Sequence, residues 1–560
     1  MRASGQGREA DVLIVGAGPV GLALAVELGE RGVDVIIVEQ NDRGGRQPRA
    51  KTTNVRSMQL LRRWGIAEAI RKAGPLPPDY PSDIVFATRL FGRPLAKFEN
   101  VFFGYREKDP KFPESAQWIP QYAVEACLRE HLGKLPGVTL KFGARLDDLA
   151  QDADGATATV MDIGSKQPFS VRARYVVGAD GGRSRVRSLL TIRMVGDHAY
   201  MGNYLAIFRA PGLTGGHPQD KAISYWLVNP DCPAVIGPMD RGDTWFFSTQ
   251  LPNGAIPYDP KQAREKITQA LGREIEFEIL ETDTWSAHKL VAERYSDGRI
   301  LLAGDACHLH PPMGGYGMNM GIGDAVDLGW KIAAVVKGWG GEVLLDSYEV
   351  ERKPVHQKVI SEAAHNYSFV TYHMVNESLE TEGPVGEAVR QDVGRRILET
   401  KAREFKAIGV VLGYHYDGSP IIVADGTSPP HDDPMQLTPS ARPGGLAPHW
   451  WMEDGSSLFD HFGPDFTLLV LDPAAAPHAA VIENAADTLG IPLKRLDLAQ
   501  RELATLYAAR LVLVRPDQHV AWRADRLQGD ARDILKQITG HTGLASATKI
   551  ARSGDWHGVV

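Results

Sequence analysis

The chain has 560 residues, 43% of them hydrophobic and 23% charged, and a formal net charge of -7. This length predicts two or three domains, and the negative charge excludes a basic surface for nucleic acid, so no nucleic-acid partner is expected. The three cysteines, Cys127, Cys232 and Cys307, have the spacing of neither a disulfide framework nor a zinc motif, which favours a reducing cytoplasm.

The first elements form a predicted βαβ unit with a dinucleotide-binding pattern. ADVLIVGAGPVGLALAVELGERGVDVIIVEQ is expected to fold as a strand, a tight turn, a helix and a second strand. Gly16 permits the turn, Gly18 lets the backbone approach a pyrophosphate, and Gly21 lets the helix pack closely on the strand. Glu39, at the end of the second strand, suits an unphosphorylated adenosine ribose. The unit therefore predicts a site for NAD or FAD.

The following segments alternate between helical and strand patterns. Residues 54–73 have helical periodicity, and residues 199–279 contain aromatic, alternating segments that predict an antiparallel sheet with one buried face. An α/β pattern returns at RILLAGDAC, and a polar passage at 425–445 predicts a linker before a compact C-terminal α/β module. No segment reaches the roughly 18 apolar residues that span a bilayer, so neither a signal peptide nor a membrane partner is expected.

The glycine-rich stretch GDACHLHPPMGGYGMN, residues 304–319, follows a predicted buried strand. Asp305 would lie at the carboxyl end of that strand, where it can bind the hydroxyls of a ligand. Gly314, Gly315 and Gly317 would allow the backbone to approach a flat ring closely. Asn319 is the predicted start of a long helix, whose positive end favours an anionic ring. The stretch therefore fits a flat cofactor better than a phosphate.

Two further features of the chain have alternative interpretations. His308 and His310 lack further ligands nearby in the sequence, so we expect structural roles for both and no metal site. Cys307 is expected to be a small buried residue. VVGADGGRSRVR predicts a strand running into a glycine turn, where Asp180 either lies against the same cofactor or belongs to an ordinary loop.

Taken together, GAGPVG at 16–21, GADG at 178–181 and GDACHLHPPMGGYGMN at 304–319 resemble the class A flavoprotein monooxygenases, the single-component FAD-dependent aromatic hydroxylases. ARPGGLAPHWWMEDGSSLFDHFG, followed by FTLLVLD, resembles the branch of this family that carries a C-terminal thioredoxin-like domain. That branch includes phenol, hydroxyphenylpropionate and aromatic-polyketide hydroxylases.

The resemblance implies an α/β fold with a Rossmann-like, p-hydroxybenzoate-hydroxylase-like FAD-binding domain, a mixed or antiparallel β-sheet substrate domain and a thioredoxin-like α/β domain. The expected domains are a discontinuous FAD-binding domain at 1–78, 105–190 and 285–372, a substrate domain at 79–104 and 191–284, a helical connection and linker at 373–430, and a C-terminal domain at 431–560. The last domain lacks Cys-x-x-Cys, so its resemblance implies packing or oligomerisation, such as a homodimer, rather than redox chemistry.

The resemblance also assigns cofactor-binding residues. It implies that the ADP half of FAD is held by the first βαβ unit, through Gly16, Gly18, Pro19, Val20, Gly21, Glu39 and Gln40. Arg49 matches an arginine near the pyrophosphate, Gln121 matches a glutamine that contacts FAD, and Asp180 belongs to a motif shared by FAD and NAD(P)H.

Nearer the reacting ring, Gly304 and Asp305 would bind the ribitol chain. Backbone contacts to the pyrimidine edge of the isoalloxazine are implied for Gly315, Gly317, Met318 and Asn319. Pro312 matches a proline whose carbonyl lies near the reacting ring, on the side of the substrate. Tyr316 departs from the family, because many members of this branch have glutamine there.

The implied reaction is the hydroxylation of a small phenolic substrate through a flavin C4a-hydroperoxide, with NADH or NADPH and O2 as co-substrates. Tyr225 is a candidate catalytic residue, one of several aromatic residues in the predicted sheet of which only some can face the cavity. Epoxidation or Baeyer–Villiger-type oxygenation of a polycyclic or polyketide substrate on the same fold is the alternative. A flavin halogenase is not expected, because the Trp-x-Trp-x-Ile-Pro signature is absent. A non-enzymatic flavin-binding protein is the remaining hypothesis.

Overall fold

The computed structural model describes residues 8–42, 50–77, 79–105, 107–252, 255–368 and 371–542. The strands in this part of the chain are β1 (Arg8–Val15), β2 (Val35–Glu39), β3 (Thr52–Thr53), β4 (Ile84–Ala87), β5 (Pro94–Phe98), β6 (Gln117–Trp118), β7 (Val138–Phe142), β8 (Ala144–Gln151), β9 (Ala156–Asp162), β10 (Gln167–Gly178), β11 (Met194–Arg209), β12 (Ser224–Leu227), β13 (Ala234–Pro238), β14 (Thr244–Leu251), β15 (Glu278–Ala292), β16 (Ser296–Asp297), β17 (Ile300–Leu302), β18 (His308–Leu309), β19 (Phe466–Val470), β20 (Leu493–Asp497), β21 (Leu511–Val514) and β22 (Val520–Ala524).

The α-helices are α1 (Pro19–Glu30), α2 (Val55–Arg63), α3 (Ala67–Ala73), α4 (Gln121–Leu132), α5 (Arg185–Leu189), α6 (Leu213–Gly216), α7 (Pro260–Leu271), α8 (Tyr316–Val336), α9 (Val343–Tyr367), α10 (Gly383–Phe405), α11 (Ile408–Leu412), α12 (Ala476–Leu489), α13 (Arg501–Tyr507) and α14 (Ala531–Ile538). None of the described helices is both long and apolar enough to cross a bilayer.

The first sheet has the strand order β16-β17-β10-β1-β2-β7, with β8 and β9 continuing from β10 as an antiparallel meander. β1 pairs in parallel with both β10 and β2, in a register that sets Val12 beside Val35 and Tyr175. The apolar runs of β1 and β2 are buried on both faces, as a parallel sheet covered by helices requires. Helix α1 packs between this sheet and α8 and brings the N-terminal unit against the long helix.

The second sheet has the order β18-β15-β11-β14-β13-β12-β4-β5. It is mixed rather than purely antiparallel, because β12 pairs in parallel with β4. Helix α7 covers one face through Ala263 and Ile267, and α10 packs on the edge strand β5. Both faces of the middle strands are therefore buried, in contrast to the single buried face that the alternation predicts.

The glycine-rich stretch connects the two sheets. β17 lies in the first sheet beside β10, whereas β18, only five residues later, is the edge strand of the second sheet and pairs with Leu290 and Val291 of β15. A 3-10 turn at Gly304–Ala306 makes the change of direction between them. The chain then enters α8. Residues 304–319 thus lie at the junction where a ligand can contact both sheets.

The third sheet, β20-β19-β21-β22, forms a separate layer with α12 and α14. Its core is not closed on itself, because Trp330 and Trp339, from α8 and the turn after it, pack against Phe466 of β19. The fold class predicted from the sequence, two domains of different sheet type followed by an α/β module, is confirmed. The long helix differs from prediction at its start, since it begins at Tyr316 and not at Asn319.

Candidate functional site

The turn between β1 and α1 has no room for side chains. Gly16 has φ +106°, and a Cβ there would lie 2.4 Å from the carbonyl oxygen of Ala179; a Cβ at Gly21 would lie 2.0 Å from the Gly16 oxygen. Gly18 is the N-cap of α1 and Pro19 its first residue, with no side chain capping the helix. The amides of this first turn lack intrahelical acceptors, which is the arrangement that binds a pyrophosphate.

Glu39 lies at the end of β2 and closes the turn from the other side. Its carboxylate accepts the Ala17 N–H at 2.9 Å and the Asn41 N–H at 2.9 Å, and the residue is 7% exposed. These bonds fix the carboxylate beside the glycine turn and leave acceptor capacity for ribose hydroxyls. Gln40 is exposed next to it. Arg49 lies outside the residues that the structure describes.

The loop after β10 packs directly on the glycine turn. The Asp180 carboxylate accepts bonds from the Ser184 hydroxyl at 2.5 Å and from the amides of Arg185 and Val186 at 2.6 and 3.1 Å. Burial raises the pKa of Asp180, while these bonds lower it. The carboxylate therefore organises the start of α5, and the loop supplies the wall against which Gly16 packs.

Val20 brings the first and third glycine motifs together. Its side chain lies between Gly304, where a Cβ would be 2.8 Å from Val20 Cγ2, and Gly321, where the distance would be 2.4 Å. Gly304 has φ +62°, so only glycine fits this point without strain and without a clash. Asp305 follows in the 3-10 turn and is exposed at the carboxyl end of β17.

The turn before α8 is formed by Pro312 to Gly315. The Pro312 carbonyl accepts the Gly315 N–H at 3.1 Å, and Gly314 and Gly315 have φ of +85° and +66°. At Gly317, in the first helical turn, an added Cβ would meet nothing within 4 Å. Uncapped amides and open space at the positive end of a helix form a cradle that fits the anionic edge of a ring.

Asn319 has a role that the sequence does not show. Its side-chain amide donates to the carbonyls of Thr52 at 2.9 Å and Gly315 at 2.7 Å, and its oxygen accepts the Asn54 N–H at 2.8 Å. Met318, beside it, is 8% exposed. The side chain of Asn319 therefore fastens the start of α8 to β3.

Gln121 and Tyr316 flank this region in different ways. Gln121 begins α4, donates its backbone N–H to the Ala50 carbonyl at 2.9 Å and its side-chain amide to Glu125 at 2.9 Å. The ring of Tyr316 packs on the Gly314 turn, since a Cβ at Gly314 would lie 2.3 Å from its Cε2 atom. The Tyr316 ring is buried in a cluster with Met320 of α8, and this burial raises the pKa of its phenol.

A buried ionic cluster formed by residues of α8 and α9 contacts the 304–310 segment. Asp324 of α8 accepts bonds from His308 Nε2, Arg352 Nε and the Gly304 amide at 2.8, 2.8 and 3.1 Å, and His356 lies 2.8 Å away. Cys307, His308 and Asp324 place ligand atoms within 4.8 Å of one another, so further ligands do lie near His308, in contrast to the sequence expectation. Arg352 shares the same carboxylate, which marks the cluster as an ion pair.

The two remaining residues of this segment differ in their surroundings. His310 is desolvated, which lowers its pKa well below the ordinary value, and neither of its ring nitrogens has a hydrogen-bond partner among the described residues. Cys307 is fully buried, as expected, and burial raises the pKa of its thiol. Asp324 is the residue that the sequence reasoning missed. Its signal was the presence of charged residues, Asp324 with Asp327 and Lys331, within the mostly apolar helix GIGDAVDLGWKIAAVV.

The second sheet presents an aromatic wall to this junction. Ile207, Met239 and Phe246 form one cluster with Trp118 and Tyr122, and the rings of Phe246 and Trp118 lie 6.5 Å apart. We call these five residues the aromatic wall. It stands beside β3 and the start of α4, because Trp118 is in β6, which pairs with β3.

Tyr225 lies on the other face of the sheet. Its ring stacks on Trp245 at 5.8 Å beneath α7, and its hydroxyl donates to the Asp220 carbonyl at 3.0 Å and accepts the Ala222 N–H at 3.1 Å. Burial raises the pKa of this phenol. The structure therefore does not bring Tyr225 to the site. Strand alternation places Trp226 and Phe246 on one face and Tyr225, Trp245 and Phe247 on the opposite face.

Comparison with known proteins identifies both parts of the chain. Residues 9–363 match the family model of the FAD binding domain, and residues 440–542 match that of the aromatic-ring hydroxylase C-terminal domain. Tetracenomycin B2 monooxygenase-dioxygenase from Streptomyces olivaceus is 32% identical over 565 residues, which cover 95% of this chain and 98% of that protein.

Solved structures give the same result. The rebeccamycin biosynthetic enzyme RebC with reduced flavin has a TM-score of 0.87 and 34% identity, over 96% of this chain and 100% of that one. The ternary complex of aklavinone-11 hydroxylase with FAD and aklavinone has a TM-score of 0.80 and 29% identity, over 96% and 100%. The chain therefore belongs to the FAD-dependent aromatic-ring hydroxylases.

Proposed function

We propose that this chain is an NAD(P)H- and O2-dependent monooxygenase that hydroxylates a polycyclic aromatic compound. The observation that carries the proposal is that β3 joins the glycine cradle, residues 312–319, to the aromatic wall: Thr52 accepts a hydrogen bond from Asn319 and pairs with Trp118. A flat cofactor in the cradle would face a flat substrate against the wall.

The cofactor that fits is FAD. The first turn of α1 would hold the pyrophosphate, Glu39 the adenosine ribose, Asp305 the ribitol hydroxyls, and the amides of Gly317 and Met318 the pyrimidine edge. Arg49, Gln40, Gln121 and Asp180 remain proposed contacts of the same cofactor, as does the carbonyl of Pro312 on the substrate side. When bound, FAD supplies acceptance of the hydride from NADH or NADPH and activation of O2 for transfer to the substrate.

The residues of the chain itself would position the cofactor and limit the access of water to the site. The bond from Gly315 to the Pro312 carbonyl and the three bonds of Asn319 hold the backbone of the cradle in place before any ligand binds. With an aromatic substrate bound against it, the aromatic wall would keep water from the opposite side of the site. Hydroxylation of an electron-rich ring depends on a fixed position of cofactor and substrate and on the exclusion of water more than on a covalent nucleophile.

The size of the substrate is inferred from the relatives. The sequence predicts a small phenol, whereas the solved aklavinone-11 hydroxylase holds aklavinone, and a relative is named for tetracenomycin B2. Similarity over 95% or more of the chain supports a substrate of the same polycyclic class here. Epoxidation or Baeyer–Villiger-type oxygenation of such a compound is the second candidate reaction, because it uses the same cradle and wall.

The test is reduction of the purified, FAD-loaded enzyme by NADH and by NADPH under anaerobic conditions, with single-ring phenols and with hydroxylated anthraquinones and tetracyclic phenols. We expect a polycyclic phenol to accelerate flavin reduction and, after admission of 18O2, to gain one labelled oxygen as a ring hydroxyl. A labelled lactone or epoxide would instead establish the second reaction. Reduction that no aromatic compound accelerates, with unlabelled products only, would refute the oxygenase.

A further inference from the structure

The backbone on either side of Lys51 is hydrogen-bonded to neighbouring elements, to α4 on one side and to the cradle on the other. The carbonyl of Ala50, before it, accepts the Gln121 N–H at 2.9 Å, and the carbonyl of Thr52, after it, accepts the Asn319 side chain at 2.9 Å. The Lys51 carbonyl itself accepts the Ile119 N–H at 2.8 Å. The residue therefore cannot move independently of the elements that form the cradle.

The side chain of Lys51 reaches from the cradle to the aromatic wall. Its Nζ atom lies 4.2 Å from the centroid of the Phe246 ring, which belongs to the second sheet. The residue keeps partial access to solvent, as expected for a group that borders a ligand space. Lys51 thus places a cation between the two surfaces that would hold cofactor and substrate.

This half-buried cation differs from the fully buried lysines in having no anionic partner among the described residues. Lys331 is paired with Asp327 and Glu351, and Lys401 with Glu404. Among the residues described, no carboxylate lies within salt-bridge distance of Lys51 Nζ. Desolvation lowers its pKa to about 8, and no charged neighbour contributes to that shift. Tyr122 of α4 is the titratable side chain within the aromatic wall itself.

A half-buried ammonium group that contacts an aromatic ring but no carboxylate has lost part of its hydration without gaining an anionic partner, and a bound anion would offset that cost. A phenolate oxygen is the anion that the proposed substrate can offer, and an ionised phenol is also the form whose ring attacks an oxygen donor most readily. An ammonium–phenolate hydrogen bond is charge-assisted and stronger than a neutral one. Lys51 remains mainly protonated at pH 7, since its pKa lies near 8.

We propose that Lys51 binds the ionised hydroxyl of the aromatic substrate and selects phenols that carry an ionisable oxygen on or beside the reacting ring. On binding, the O–H bond of the phenol breaks, its proton passes to solvent, and the ammonium keeps its own three protons. This inference rests on the proposed function, and it assigns the substrate class more narrowly than that function does.

The experiment uses alizarin as the probe, because the visible absorption of this hydroxylated anthraquinone reports its ionisation. Alizarin is titrated into the FAD-loaded wild type and the variants Lys51→Met and Lys51→Arg, from pH 5.5 to pH 9, without NAD(P)H. Lys141→Met is the matched control, since Lys141 also lies over an aromatic ring, 4.8 Å from Phe169, but in the first sheet. Flavin absorbance and far-UV circular dichroism verify cofactor content and folding.

We expect the wild type and Lys141→Met to bind ionised alizarin, with the apparent pKa of the bound hydroxyl lowered by about one unit or more, which is a tenfold preference for the ionised form. Lys51→Met should bind the neutral form and lose this preference. Lys51→Arg should keep it, and should extend it above pH 8, because the guanidinium stays charged where Lys51 of the wild type becomes neutral.

Three results would overturn the inference. The wild type could bind neutral alizarin, or Lys51→Met could lower the pKa of the bound hydroxyl as much as the wild type does. In either case 18O incorporation into a polycyclic phenol would leave the proposed function standing. A wild type that binds alizarin in neither its neutral nor its ionised form would overturn the inference together with the proposed substrate class.

Discussion

Replacement of Arg515 by methionine should weaken the attachment of the C-terminal module to the FAD-binding part. The guanidinium is fully buried and donates five hydrogen bonds, two to Glu351, one to Asp327 and two to Asp517, at 2.6 to 3.1 Å. Lys331 lies on the same cluster, 2.6 Å from Glu351 and 2.8 Å from Asp327. Arg515, from the turn after β21, thus joins the third sheet to α8 and α9.

The magnitude follows from the charge balance of this cluster. Burial, with repulsion from Glu351 and Asp517, raises the pKa of Asp327, whereas Arg515 and Lys331 hold the pKa of Glu351 and of Asp517 below the ordinary values, so two ionised carboxylates face two cations. In Arg515→Met the same two carboxylates face Lys331 alone. Removal of one partner from a buried ion pair costs about 3–5 kcal/mol, because the remaining charge stays buried without compensation. For a cooperative unit of 150–250 residues, this lowers Tm by about 10 °C.

The assay is differential scanning calorimetry, with hydrogen exchange of β21 and β22 to locate the loss. Arg495→Met is the matched control, because Arg495 pairs with Glu483 and Asp497 at 2.8 Å in the same module but near its surface. That variant should lose no more than about 1 kcal/mol. If Arg515→Met melts within a degree or two of Arg495→Met, the reasoning from uncompensated buried charge is refuted.

Three further predictions concern single side chains. Because the pKa of Asp327 is raised in the folded state, its contribution to stability is fully present at acid pH and is lost as pH rises through about 8. Asp327→Asn should therefore show a smaller fall in Tm between pH 6 and 9 than the wild type, and an equal fall in calorimetry would contradict this. Gly317→Ala adds a methyl group where nothing lies within 4 Å, so the apoprotein should gain up to about 1 kcal/mol. Its FAD affinity, measured by flavin fluorescence, should fall about tenfold, and unchanged affinity would remove Gly317 from the cradle. Asn319→Ala loses three hydrogen bonds and should lower the free energy of unfolding in urea by about 2–4 kcal/mol, whereas Asn376→Ala, at an exposed helix cap, is expected to lose no more than about 1 kcal/mol.

The first glycine motif could be interpreted from the sequence because its partners are close along the chain. Gly16, Gly18 and Gly21 lie within six residues, and the strand after the helix places Glu39 beside them. Local spacing is sufficient when one βαβ unit determines the geometry. The contact of Val20 with Gly304 and Gly321 joins segments about 300 residues apart, and no pattern along the chain encodes such a pairing.

Side-chain direction was the point at which sequence reasoning failed. Alternation in AISYWLV and DTWFFSTQL separates two faces, but it does not say which face meets the cofactor, so Tyr225 was as eligible as Trp226. The predicted backbone contact of Asn319 stays a prediction, and nothing in the sequence indicates that its side chain fastens α8 to β3. Lys51 carries no motif at all. Its significance comes from Phe246, a residue of another sheet.

Helix α8 belongs to two units at once, and this limits how the family can be recombined. Its first turn forms the cradle, whereas Trp330, farther along, lies in the core of the C-terminal module against Phe466. A chimera that takes residues 440–542 from a relative would therefore pack a different surface against the end of α8. Because α8 is a continuous helix, a shift at that end would also displace its first turn, which forms the cradle. Exchange of the module should succeed only when the donor's residues at Trp330, Trp339 and Glu351 are transferred with it.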